Sequence, residues 1–137
     1  MGHVALSMPI NADAAAVWDY VGDFNGLPRW HPGVATSTLE DGGQVRHLTL
    51  QDGAELLERL LGRDDARRSY NYSITQSPLP IKRYSATIRV TAAGGGSQVD
   101  WSGEFESAGP PDEDVTAIFR GIYEAGLTNL KTLLEQK

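Results

Sequence analysis

Residues 112–136 read DEDVTAIFRGIYEAGLTNLKTLLEQ, and this stretch decides the fold. Val115, Ile118, Phe119, Ile122, Tyr123, Leu127, Leu130, Leu133 and Leu134 recur at spacings of three and four, which places them on one broad face of a helix. Pro110 and Pro111 stiffen the approach, and Asp112 is the expected N-cap. Glu113 and Asp114 follow where a helix N-terminus favours negative charge, while Lys131 and Lys137 lie near the opposite end. Gly121 and Gly126 interrupt the run, each at a cost of about 1 kcal/mol relative to alanine. A glycine inside such a helix implies a packing reason, a close approach or a bend. A long one-sided helix must be covered, and the chain before it reads mostly as strands.

Working back from the helix, Gln98 to Ser107 alternates: Val99, Trp101, Gly103 and Phe105 oppose Asp100, Ser102, Glu104 and Glu106. Arg83 to Ala92 alternates in the same way, with Tyr84, Ala86, Ile88 and Val90 on one face, and the Gly94-Gly95-Gly96 run is the hairpin tip between them. Arg67 to Gln76 carries Tyr70, Tyr72 and Ile74 on one face. The proline-stiffened Ser77-Pro78-Leu79-Pro80 loop follows it. Gln44 to Leu50 and Ala54 to Gly62 form a hairpin around Gln51-Asp52-Gly53, which suits a three-residue loop ending in left-handed glycine. Val34 to Glu40 is a further strand, turning at Asp41-Gly42-Gly43. At the start, Val4, Leu6 and Met8 mark a short strand, Ala14 to Val21 a helix, and Leu27 to His31 one more helical turn closed by Pro32-Gly33. The expectation is one α+β domain over residues 1–137: a curved, seven-stranded antiparallel sheet around the C-terminal helix, with two short helices after the first strand.

Bulk properties bound the function. A chain of 137 residues without cysteine can bury a core without staples; it has no disulfide scaffold and no cysteine nucleophile. The net charge of −6 argues against a nucleic-acid binder. No apolar run is long enough for a membrane span and no leader pattern is visible, so a cytoplasmic location and no integral membrane association are expected. No Walker motif, dinucleotide fingerprint or nucleophile elbow occurs. His3, His31 and His47 show no metal-ligand spacing, so neither metal nor cofactor is expected.

Several residues carry possible chemistry. A three-residue turn pairs Leu50 with Ala54, Leu48 with Leu56 and Arg46 with Glu58, all facing inward with Leu60. A two-residue turn would instead set His47 opposite Glu58. An inward Arg46–Glu58 pair reads either as architecture, its desolvation cost and attraction roughly cancelling, or as a ligand anchor. Trp30, Tyr70, Tyr72, Tyr84, Trp101, Phe105, Phe119 and Tyr123 read either as packed core or as the lining of a cavity with hydroxyl handles, with Gly103 and Gly126 leaving room. His31, in Trp30-His31-Pro32, has a side chain suited to acid–base work at neutral pH, or a plain structural role. Arg63, Arg67 and Arg68, beside Asp64 and Asp65, read as a solvated, mutually neutralised surface. Leu57 and Leu61 break the polar pattern of the outer face.

Together with the element order, certain pieces resemble the helix-grip superfamily of START lipid-transfer domains, pollen allergens and plant-hormone receptors. These are Ala12 to Trp18, Asp23-Phe24, Trp30-His31-Pro32, Arg46, Glu58-Arg59-Leu60, Asp64, Tyr72, Leu79-Pro80, Tyr84, Trp101, Phe105 and Tyr123…Gly126-Leu127…Leu130. The chain is most similar to the bacterial polyketide cyclase/dehydrase group. The resemblance implies a ligand cavity between sheet and helix, lined here by Trp30, His31, Arg46, Glu58, Tyr72, Leu79, Tyr84, Trp101, Phe105, Phe119, Tyr123 and Gly126. The hormone receptors' gate loop is replaced by the tight Gln51-Asp52-Gly53 turn, which argues against a gate-and-latch switch. Three functions follow as expectations. The first is a non-catalytic carrier of a small hydrophobic or amphipathic molecule. The second is a cyclase or dehydratase, with Glu58, His31 or Tyr123 as the catalytic group. The third is a protein–protein module on the outer sheet face. The expected assembly is a monomer or homodimer.

Overall fold

The computed structural model describes residues 1–135. One antiparallel sheet in the spatial order β1-β7-β6-β5-β4-β3-β2 runs through the molecule. Its strands are β1 (Gly2–Ile10), β2 (Val34–Glu40), β3 (Val45–Leu50), β4 (Glu55–Asp64), β5 (Ser69–Gln76), β6 (Ile81–Ala93) and β7 (Gly96–Ser107). Two helices accompany it, α1 (Ala14–Val21) and α2 (Asp112–Glu135), with a short 3₁₀ turn at Leu27–Arg29. This is the α+β helix-grip architecture. The expected end of the last helix at Gln136, and Lys137 beyond it, lie outside the described residues.

Local chemistry accounts for the elements. Asp13 caps α1, its carboxylate accepting from the Ala16 N–H at 2.8 Å. Asp112 is the first residue of α2 rather than its cap: the first helical bonds run to the Pro111 carbonyl, from the amides of Asp114 and Val115. Asp112, Glu113 and Asp114 thus all sit in the first turn, where the helix dipole favours them. The β3–β4 turn has three residues, with Gly53 at φ 92°. Arg46 therefore lies opposite Glu58 and Leu48 opposite Leu56, while His47 faces Leu57. Register shifts occur within the β2–β3 and β4–β5 pairs, and such bulges bend a sheet.

The inner face of the sheet is Tyr70, Tyr72, Tyr84, Ala86, Ile88, Val90, Val99, Trp101 and Phe105, all buried, with Val115, Phe119, Tyr123, Leu127 and Leu130 of α2 opposite. α2 lies along β1 and β7, and α1 lies against β6 and β7. On the outer face Leu57 is half-buried and Leu61 exposed. No helix is long and apolar enough to cross a membrane among the described residues.

The two helix glycines differ. A Cβ at Gly126 would lie 2.6 Å from His31 Cδ2 and 3.1 Å from Trp30 Cζ3, so its hydrogen lets the Trp30-His31 segment press onto the helix backbone. A Cβ at Gly121 would meet nothing within 4 Å, so that glycine has no packing role.

Candidate functional site

Where α2 leaves β3, β4 and β5 uncovered, the fold keeps a cavity of about 120 Å³. Of the residues expected to line it, His31, Arg46, Glu58, Tyr72, Leu79, Tyr84, Trp101, Phe119 and Tyr123 do so. Trp30, Phe105 and Gly126 do not, which corrects those three expectations. Trp30 is buried edge-on against Trp101, with ring centroids 5.7 Å apart. Phe105 is filled in between Phe119 and the bare backbone of Gly2. At Gly126 the vacant space is occupied by the His31 ring. Gly103 likewise opens no cavity: a Cβ there would lie 2.5 Å from the Tyr123 hydroxyl and 3.1 Å from Tyr84, so the two rings occupy its space.

The rest of the wall is Leu27, Gly33, Val34, Leu48, Leu50, Leu56, Ile74 and Ile122. Leu48, Leu50 and Leu56 were signalled by the same register that turns Arg46 inward. Ile74 and Ile122 share the apolar faces of Tyr72 and Tyr123, whereas Leu27, Gly33 and Val34 had no such signal, because they reach the cavity through the packing of separate segments. Leu50, Ile74, Leu79 and Ile122 are half-exposed and form its rim.

The polar part of the wall begins with Arg46, which is 1 % exposed. Its Nε donates to Glu58 Oε1 at 2.8 Å, and Nη2 lies 2.8 Å from the same oxygen. Nη1 donates to the Phe24 carbonyl at 2.9 Å and to the Tyr70 hydroxyl at 3.3 Å. The guanidinium also lies 4.3 Å from the Phe24 ring centroid and 5.0 Å from that of Tyr72. Burial pushes the Glu58 carboxyl above its ordinary range, against the attraction of Arg46. For Arg46 burial acts to lower the pKa, but Tyr70 and Glu58 outweigh it and hold the guanidinium charged.

Next to this pair runs a chain of hydroxyls. Trp101 Nε1 donates to Tyr72 Oη at 3.1 Å, Tyr72 and Tyr84 hydroxyls meet at 3.4 Å, and Tyr84 bonds Tyr123. Stacking fixes the rings: Trp101 lies on Tyr123 with centroids 4.2 Å apart, and Tyr84 on Phe119 at 4.4 Å. Burial raises the pKa of all three tyrosines, so they remain neutral O–H groups at physiological pH.

His31 is tied on both sides. The Gly33 N–H donates to Nδ1 at 3.0 Å, so the ring proton sits on Nε2 and is donated to the Ile122 carbonyl at 2.7 Å. Burial lowers its pKa from the ordinary value. This geometry makes His31 a neutral strut between the segment before β2 and α2.

Two polar groups outside the cavity tie more of the fold together than their sequence setting suggests. Arg63 belongs to more than a neutralised surface: besides Asp65 it bonds the Gly22 carbonyl and lies over the Trp18 ring, tying β4 to the end of α1. His47 bridges Glu40 at 3.1 Å and Glu55 at 2.7 Å on the outer face, and those bonds raise its pKa. Among the described residues no cluster of three or more His, Cys, Asp or Glu side chains is placed to hold a metal ion.

A curved sheet that closes on a long helix over a mostly apolar cavity with one buried ion pair defines a helix-grip protein. The chain belongs to the family described as polyketide cyclase / dehydrase and lipid transport, whose model matches residues 1–135. Its structure is similar to that of the protein XoxI from Bacillus cereus, at 40% identity and TM-score 0.96, over 98% of this chain and 96% of that one. It is equally similar in fold to a Bacillus thuringiensis protein, at 38% identity and TM-score 0.96, over 98% and 100%. The ZhuI aromatase/cyclase from Streptomyces sp. R1128 shares the fold alone, at 19% identity and TM-score 0.79, over 97% and 93%. No curated protein matches the sequence.

Proposed function

We propose that this chain binds or carries a small, largely apolar molecule between its sheet and α2. The observation that carries this reading is the cavity itself, apolar except for a matched ion pair, a row of hydroxyls and the tied His31 ring. Family membership supports it. A cyclase or dehydratase would need an acid or base poised at open space. Of the three candidates, His31 is held at both ring nitrogens by Gly33 and Ile122, Tyr123 meets Tyr84, and Glu58 is tied through one oxygen to Arg46, which matches its charge. Their perturbed pKa values follow from burial, and these partners favour binding over catalysis. Drug-sized sites measure about 300–1,000 Å³. A cavity of about 120 Å³ suits a molecule nearer one aromatic ring, and a longer lipid would have to displace the leucines and isoleucines of the rim.

Native mass spectrometry of freshly purified protein, with a melting screen of single-ring aromatics, flavonoids, aromatic polyketides and fatty acids, tests the proposal. A bound species, or a stabilisation of about 2.7 kcal/mol at a hundredfold excess over Kd, is the expected result. Absence of adduct and of any shift across every class would overturn it.

A further inference from the structure

The polar groups of the cavity wall do not close among themselves, and what is left over describes the ligand. Glu58 Oε1 takes the Arg46 Nε bond and lies 2.8 Å from Nη2, and among the described residues no hydrogen bond is seen at Oε2. Nor is Oε2 among the fully enclosed unpartnered side-chain atoms, which among the described residues are Trp30 Nε1 and Ser97 Oγ. Glu58 lines the cavity, and Oε2 is the oxygen it has left for a ligand there. An acceptor is therefore on offer.

A donor is on offer as well. The hydroxyls of Tyr72, Tyr84 and Tyr123 make two contacts among themselves, and Trp101 Nε1, which can only donate, takes a lone pair of Tyr72. Each hydroxyl–hydroxyl contact uses one O–H proton, and there are three protons for two contacts. One O–H is left without an acceptor whichever way the chain runs. All three tyrosines line the cavity. A buried donor left unmade is costly, as is an unpaired carboxylate oxygen, so a ligand that satisfies both gains more than one that fills the volume.

Resting on the binding role proposed above, we infer that the cavity takes a neutral, single-ring molecule carrying both a hydrogen-bond donor and an acceptor, with its donor to Glu58 Oε2 and its acceptor to the free tyrosine O–H. A hydroxyaryl ketone is the simplest member of this class. Charge argues for a neutral ligand, because Arg46, the one Arg or Lys in the wall among the described residues, is already matched by Glu58, and an added carboxylate would be buried beside a second one. Size argues for one ring: about 120 Å³ compares with the apolar cavity of about 150 Å³ that accepts benzene. Walls of stacked aromatic rings favour a flat ligand.

Calorimetric titration of the full chain at pH 7 tests this with six probes: the 2-, 3- and 4-hydroxyacetophenones, acetophenone, toluene and 4-hydroxybenzoate. At least one hydroxyacetophenone should bind about tenfold more tightly than acetophenone, and acetophenone more tightly than toluene. Hydroxybenzoate should bind at least tenfold more weakly than that isomer. If toluene or hydroxybenzoate binds as well as every hydroxyacetophenone, the cavity is occupied but this inference is overturned. If none of the six binds, and the wider screen is also silent, the binding role falls and the inference with it.

Discussion

The pKa values of His31 and His47 are moved in opposite directions. His31 is buried and neutral, an Nε2–H donor to α2 whose pKa is pushed below the ordinary 6.5 chiefly by burial. Its folded form binds fewer protons than the unfolded chain, so its contribution is full above about pH 6.5 and is lost as pH falls through the folded value. His47 accepts no such constraint. Its bonds to Glu55 and Glu40 raise its pKa above 6.5, so its contribution is full below that value and fades as pH rises through the folded one. An NMR titration of the imidazole protons should therefore show a midpoint above 6.5 for His47 and below 6.5 for His31. A His31 midpoint at or above 6.5 would show that burial does not outweigh the Ile122 bond. The sequence singled out His31 for acid–base work because its residue type suits that task. Its two partners are backbone groups, one of them 91 residues away, and no side-chain pattern announces a backbone partner.

At the scale of the element, α2 carries two glycines that the sequence alone treats alike. Both lower helix propensity, by about 1 kcal/mol each. Gly121 faces open space, so Gly121→Ala should recover about 0.5–1 kcal/mol in a urea titration. Gly126→Ala should lose about 1–3 kcal/mol despite the same propensity gain, because its Cβ would sit 2.6 Å from a buried His31 ring held at both nitrogens. A Gly126→Ala protein at least as stable as the wild type would refute the close-approach role. The same contrast applies to the strands. The alternation of β6 and β7 announced their inner faces in full. The arginine cluster after β4 looked like plain surface, because the α1 terminus it ties down comes 41 residues earlier.

Across the whole molecule, the cavity is a stability debt. At about 24 cal/mol per Å³, leaving about 120 Å³ unfilled forgoes on the order of 3 kcal/mol. A chain of marginal stability that keeps such a space keeps it at the expense of its own core, as ligand sites do. Ile74 stands at the rim, half-exposed, where a larger side chain can lean inward without forcing the sheet apart. Ile74→Phe should raise the melting temperature by a few degrees and abolish the binding of single-ring probes, read by thermal denaturation with and without ligand. If it destabilises the protein while binding persists, the void does not take ligand in the way proposed. The ion pair belongs to this scale too. Arg46 gathers β3, β4, β5 and the Phe24 carbonyl around one charge, so architecture and cavity wall are the same residues.

By itself the sequence determined the elements and narrowed the β3–β4 hairpin to two registers, of which the structure adopts the one with a three-residue turn. Period-two alternation declares which strand face is buried, three-and-four spacing declares the helix stripe, and a three-residue turn ending in Gly53 leaves Arg46 only Glu58 to face. Tertiary structure decided which inward residues meet empty space. Trp30, Phe105 and Gly126 point inward as surely as Tyr72 or Phe119, yet they are packed solid while the others border a void. The physical reason is that a cavity is what remains after distant segments have come to rest against one another. Its position depends on how far along the curved sheet α2 is seated, and that is settled by contacts such as His31 on the backbone at Gly126. Local patterns report a residue's face, but its depth and neighbours are properties of the closed fold.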